Sequence, residues 1–358
     1  MHIGLFMMPL HRPECDYAGM LAEDAEAILH ADRVGFEEAW VGEHYTAKTE
    51  PITSPLIFMA TLIERTRRIK FGTGVISLPH HHPAVIAGQV AMFDHLAKGR
   101  FLFGIGPGGL PCDLELFKTL DRQDRMHMQL EAIDLILEIW RRDPPYELRG
   151  KYWDIVVEKT VNRELGLGPM VKPYQQPHPP IAIPVLGRNA YGARVAGGRG
   201  YGLISANFVP AVNVASHWQM YREGAAEAGH DADPRRWRVA RSVLVAESDA
   251  EAEDYLARPD NGVRFYYRYL RDQLVPVGMG AIFKTDPAMP DEDVTVDYLL
   301  GQTVIAGSPA TVTAKLAALR ERVGPFDTLL AAFHEWDEPE LWRRSMALLA
   351  NEVGPRLM

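Results

Sequence analysis

The chain has 358 residues, with 38 Lys+Arg against 47 Asp+Glu and a formal charge of −9. That balance speaks against a nucleic-acid binder, which needs clustered positive charge to displace counterions from phosphates. Apolar residues make up 47%, no run reaches the roughly 20 apolar residues of a membrane span, and the two cysteines, Cys15 and Cys112, exclude a disulfide framework or a multi-cysteine zinc site.

The N-terminus enters an apolar run without the basic lead or small-residue cleavage site of a signal peptide, and the sparse cysteines make a reducing cytoplasm the expected location. In chain order, apolar runs predict eight strands at 3–8, 38–41, 70–75, 101–105, 181–185, 202–205, 239–246 and 328–332. Several are apolar without alternation, as in strands buried on both faces. Helical stripes lie between them: Leu21, Ala25, Ile28 and Leu29; Leu130, Ile133, Leu137 and Trp140; Val312, Leu316, Leu319 and Val323. Ser308-Pro309 supplies an N-cap with proline at the first helical position. A closed (β/α)8 TIM barrel accounts for this alternation better than an open doubly wound sheet, the other architecture it allows.

Two stretches interrupt the repeat. Residues 144–180 are rich in proline, glycine and aromatics, with Tyr152-Trp153 and Val156-Val157 as possible hairpin strands. Residues 271–296 are too long for an ordinary connection. No linker divides the chain, so a single domain with two insertions is expected.

In a barrel of this kind the chemistry sits where strands end. The second strand ends in Glu43-His44-Tyr45, which places a histidine beside a carboxylate, suited to proton transfer or to a structural role. The third ends in Gly72-Thr73-Gly74-Val75, and the fourth runs into Gly104-Ile105-Gly106-Pro107-Gly108-Gly109. Such glycines allow close approach of a planar ligand, or simply relieve crowding. The spacing is neither a dinucleotide fingerprint nor a P-loop. After the fifth strand, Gly187-Arg188-Asn189 precedes a helix and offers backbone N–H groups, a capping-type asparagine and a cation, which suits a phosphate or a plain capped helix. His80-His81-His82 does not read as a metal site, because neighbours on an extended chain point to alternate faces. No G-x-S-x-G elbow supports hydrolase chemistry.

Taken together, these blocks resemble the bacterial luciferase family of flavin-dependent monooxygenases. The resemblance runs through Glu43-His44-Tyr45, Gly72-Thr73-Gly74-Val75 to Leu78-Pro79, His82-Pro83, Asp94-His95-Leu96 and Lys98-Gly99-Arg100-Phe101. Asp327-Thr328-Leu329-Leu330 and His334-Glu335-Trp336 are similar to the subgroup of limonene 1,2-monooxygenase-like enzymes. The resemblance implies a barrel that binds reduced FMN, supplied by a separate NAD(P)H:flavin reductase. Reaction with O2 through a C4a-hydroperoxyflavin then oxygenates a small, largely apolar organic substrate. It implies His44 as the catalytic histidine. Thr73, Gly74, Val75 and Gly106 would lie along the flavin, with a cis Gly74–Val75 peptide, and Gly187, Arg188 and Asn189 at its phosphate. Phe6, Tyr45 and Leu110 would line the substrate pocket. It implies 271–296 as a mobile lid, and a homodimer through helices at 52–65 and 82–97. Two departures stand out: luciferases carry a reactive cysteine where this chain has Gly106 and an arginine where it has Pro107. They argue against light emission and leave room for another flavin-type cofactor. Two other readings stay open: a deazaflavin-dependent dehydrogenase or reductase on the same barrel, and a flavin-binding protein without catalysis.

Overall fold

The computed structural model describes residues 1–357. Its strands are β1 (His2–Met7), β2 (Glu38–Val41), β3 (Lys70–Thr73), β4 (Ile76–Ser77), β5 (Phe101–Gly106), β6 (Tyr146–Arg149), β7 (Asp154–Val157), β8 (Ile181–Val185), β9 (Gly202–Ser205), β10 (Trp237–Val245), β11 (Val304–Gly307) and β12 (Thr328–Ala332). Its α-helices are α1 (Tyr17–Val34), α2 (Pro55–Ala60), α3 (Pro83–Leu96), α4 (Pro111–Leu116), α5 (Arg125–Arg141), α6 (Tyr191–Gly198), α7 (Ala211–Glu227), α8 (Asp249–Ala257), α9 (Gly262–Leu274), α10 (Val296–Thr303), α11 (Pro309–Val323) and α12 (Pro339–Leu348). This alternation is that of a (β/α)8 barrel with insertions, and all eight expected strands are present. The chain divides into two compact units, Met1–Trp40 with Ala182–Met358, and Val41–Ile181.

In the first unit β10 is the hub. Its first residues pair in parallel with β9 on one side and β12 on the other, and β12 pairs with β1. Its last four residues pair with β11, a strand the sequence reading did not separate out. Val304 follows α10 without a turn residue, so the apolar run reads as a continuation of the helix. Trp237 opens β10 fully buried and stacks on Trp218 of α7 at 5.0 Å. Glu38 and Arg238, at the starts of β2 and β10, form a bidentate pair with both contacts at 2.6 Å, and the Trp40 indole also donates to Glu38. Helix α1 is capped by Asp16 and stopped by Gly35 at φ 104°. Its buried face is rotated from the expected stripe: Asp24 is buried, whereas Leu21 and Ala25 are partly exposed. The cause is a polar pair, since Asp24 Oδ1 meets the buried His11 Nε2 at 3.0 Å.

In the second unit β3 pairs with β5. The strand expected to reach Val75 stops at Thr73. A cis Gly74–Val75 peptide follows, and pairing with β5 resumes at β4. Buried Thr73 Oγ1 donates to the Gly104 carbonyl at 2.7 Å and accepts from its N–H at 2.9 Å, bolting the two strands side by side. The hairpin is β6–β7, and Tyr152-Trp153 lie in its turn rather than in a strand. Glu131 of α5 explains the shift. Its carboxylate accepts the backbone N–H groups of Lys151, Tyr152 and Trp153, which removes them from strand pairing. The helix expected at 52–65 is shorter, α2 followed by a 3-10 turn at Ile63–Arg65. Residues 271–296 hold the end of α9 and 3-10 turns at Gly280–Phe283 and Asp291–Asp293.

Candidate active site

His44 lies just beyond β2, after Gly42 and Glu43, and its imidazole lies between two carboxylates. Nδ1 is 3.2 Å from Asp113 Oδ2, and Nε2 is 3.3 Å from Glu50 Oε2. Nδ1 donates its proton to the Asp113 carboxylate, while Nε2 faces the Glu50 carboxyl at ion-pair distance. Burial opposes a charge on the ring, but Glu50, Asp113 and Glu43 outweigh it and raise the His44 pKa above its ordinary value.

The two carboxylates differ. Asp113, in the first turn of α4, also accepts the Tyr45 and Thr46 N–H groups and the Thr46 hydroxyl, the last at 2.6 Å. Burial pushes its pKa up, yet the hydrogen bonds from His44, Thr46 and Tyr45 win and hold it at about 2. Among the described residues Glu50 has no such donors. Burial raises its pKa, opposed by the His44 charge. One side of the ring thus faces a fixed anion and the other a carboxyl able to accept a proton. Asp113 and Glu50 escaped the sequence reading; the one available signal was an acid at the first turn of a helix that follows the glycine-rich loop.

Glu43 organises the other side of the β2 end. It accepts from the Tyr45 hydroxyl, from His81 and from the Ser77 N–H, each at 3.1 Å. The histidine triplet splits into separate roles. His81 pairs with Glu43; His82 caps α3 by accepting from the Ala84 N–H; His80 stacks on Phe117 at 4.4 Å, with burial lowering its pKa to about 4. Gly106 lies against the cis segment, because a Cβ there would meet Val75 Cγ2 at 2.6 Å. Leu110, buried, precedes α4, and Tyr45 packs edge-on against Phe117 at 4.9 Å. Thus His44, Tyr45, Thr73, Gly74, Val75, Gly106 and Leu110 all belong to the second unit.

Phe6, Gly187, Arg188 and Asn189 belong to the first unit. Phe6 is buried in β1. Asn189 does not cap α6. It adopts φ 51°, Ala190 occupies the cap position without a side-chain bond, and the Asn189 N–H donates to Ser216 Oγ at 2.9 Å. An Asn189 N–H committed to serine leaves Gly187 and Arg188 as the better anion contacts. Gly187 has open space where a Cβ would stand, and the exposed Arg188 has no ion pair among the described residues.

The turn is held from behind. His217 Nε2 lies 2.9 Å from the Gly187 carbonyl, so that nitrogen carries the proton. Its Nδ1 then accepts from Ser205, whose oxygen accepts the Trp237 indole N–H, both at 3.0 Å. Burial lowers the His217 pKa to about 4, and the neutral ring satisfies every member of the relay. Nothing in the spacing of the sequence pointed to His217, 30 residues beyond its partner.

With this geometry in place the comparisons decide the family. The profile described as Luciferase-like monooxygenase matches residues 1–325. The chain belongs to the luciferase-like monooxygenase family. It is 33% identical to limonene 1,2-monooxygenase of Rhodococcus erythropolis, over 98% of this chain and 85% of that one. It is also 33% identical to 4-hydroxyprotoasukamycin monooxygenase of Streptomyces nodosus subsp. asukaensis, over 99% and 91%. Among solved structures, the oxygenating constituent of 3,6-diketocamphane monooxygenase from Pseudomonas putida, a type II Baeyer-Villiger monooxygenase in complex with FMN, superposes with a TM-score of 0.89. It is 28% identical, with 100% of this chain and 99% of that chain covered. This luciferase-like chain is therefore a flavin-dependent oxidoreductase.

Proposed function

We propose that this luciferase-like protein is the oxygenase of a two-component system. It takes reduced FMN from a separate NAD(P)H:flavin reductase and uses O2 to oxygenate a small, largely apolar organic molecule. The observation that carries the reading is His44 held between the Asp113 and Glu50 carboxyls, which raise its pKa, within a chain whose relatives are named monooxygenases. Reduced flavin, when bound, supplies the electrons that activate O2 and split it between product and water.

The residues present suit that cofactor. In the second unit Thr73, Gly74, Val75 and Gly106 would lie along the isoalloxazine ring; the Thr73 hydroxyl is spent on Gly104, and Gly106 lies against Val75. In the first unit Gly187 and Arg188, with Asn189 setting the turn, would hold the phosphate; the open space at Gly187 favours this. His44 would hold a proton on Nε2 for a developing oxygen anion, with Asp113 keeping the ring oriented and charged, and Glu50 taking up a returned proton. Phe6, Tyr45 and Leu110 would line the substrate side, and residues 271–296 would close over it and exclude water. A homodimer through α2 and α3 is favoured by Ile57, Met92 and Leu96, which are 73%, 58% and 52% exposed. A cytoplasmic setting with an NAD(P)H-driven reductase completes the reading.

The test supplies NADH, a flavin reductase, FMN and 18O2 with a monoterpene and a bicyclic ketone as probes. One 18O atom per product molecule supports the proposal. Hydride transfer to or from a deazaflavin without oxygen uptake would replace it with the dehydrogenase reading.

A further inference from the structure

The first unit contains a cavity of about 780 Å³ with no part in the site described above. Its walls are α8, α10, β11 and α11, and Arg241 of β10 lines it as well. Arg241 is 1% exposed. Its Nη1 donates to the carbonyls of Ala240 and Ala206, at 2.8 and 3.3 Å, while Nη2 has no hydrogen-bond partner. No carboxylate pairs with it among the described residues. Burial drags its pKa down to about 10, and Arg322 pushes the same way. A buried cation normally has a counter-charge. Water could complete the hydrogen bonding of Nη2 but could not neutralise the guanidinium.

Two of the three acids in the lining are bonded to partners other than Arg241. Asp249 accepts the Ser308 N–H and the Thr311 hydroxyl, and Asp297 pairs with Arg264; Glu253 remains, on the α8 wall. Lys315 and Arg322 line the cavity from one helix, α11. Leu256, Leu300 and Leu319 add apolar surface to the lining. From the unpaired Arg241 and this lining we infer that the cavity is a binding site for an organic anion, with a carboxylate or phosphate head towards Arg241 and an apolar body along the leucines.

Calorimetric titration of the whole protein with acetate, octanoate and inorganic phosphate tests this. Octanoate should bind at least about tenfold more tightly than acetate, because its chain buries apolar surface. Phosphate binding as tightly as octanoate would show that the head alone is recognised and overturn the organic-anion assignment. Arg241→Met should weaken octanoate at least about tenfold, since the charge-assisted bonds are lost. Ala318→Glu, an exposed position in the wall, tests the same point without touching the buried arginine and should also weaken octanoate. Absence of octanoate binding, or binding unaltered by both substitutions, would overturn the inference.

Discussion

His44 Nδ1 stands 3.2 Å from the carboxylate of Asp113, a residue 69 positions further along the chain. The contact joins the end of β2 to the first turn of α4, and Thr46 and Tyr45 complete the carboxylate's shell. Removing the charge while keeping the shape isolates its effect. Asp113→Asn should lower the His44 pKa, which in the native protein is raised. A raised histidine pKa keeps the ring protonated beyond its ordinary 6.5, so activity that needs the imidazolium should fall only above that pH. In the variant this basic limb should move to lower pH, as read from the pH profile of product formation or from imidazole NMR shifts.

The relay behind the Gly187 turn makes a second prediction. His217→Leu removes the donor to the Gly187 carbonyl and should weaken FMN binding about tenfold, the effect of losing one buried hydrogen bond. Riboflavin, which lacks the phosphate, should bind as before. His217→Gln, which keeps an N–H donor, should recover part of the FMN affinity. Fluorescence titration reads all three, and equal losses for FMN and riboflavin would point to general damage.

Gly106 should tolerate no side chain. Gly106→Ala places a methyl 2.6 Å from Val75 Cγ2, so Val75 must move. Flavin affinity should fall, while the melting temperature changes by only a few degrees, as expected for a small local repacking.

The pair at the start of β2 and β10 bears on stability alone. Glu38 and Arg238 are nearly buried, with side chains 8% and 12% accessible. Glu38→Ala leaves Arg238 without its partner and should cost about 3–5 kcal/mol in urea unfolding. Replacing both residues by apolar ones of similar size should cost much less.

What the sequence revealed follows from the range of each interaction. Strands buried on both faces read as apolar runs, so all eight were visible. Local glycine and proline motifs placed His44, Thr73 and Gly106 at strand ends. What stayed hidden depends on partners distant along the chain. Asp24 turned the face of α1 because His11 lies over it, Glu131 moved the hairpin by binding its turn, and Asp113 reaches His44 from another element. β11 was missed for a local reason, the lack of a turn residue between it and α10. Asn189 had the composition of a cap, yet its left-handed backbone hands its N–H to Ser216 instead.

On the function proposed above, the protein binds reduced flavin and controls its reaction with oxygen through His44. The most direct measurement is anaerobic titration with reduced FMN, followed by rapid mixing with oxygenated buffer and absorbance detection of flavin reoxidation. Saturable binding is expected, with reoxidation several-fold slower than for free flavin and loss of that protection in His44→Ala. Reoxidation at the free-flavin rate, or protection unchanged in His44→Ala, would contradict that function.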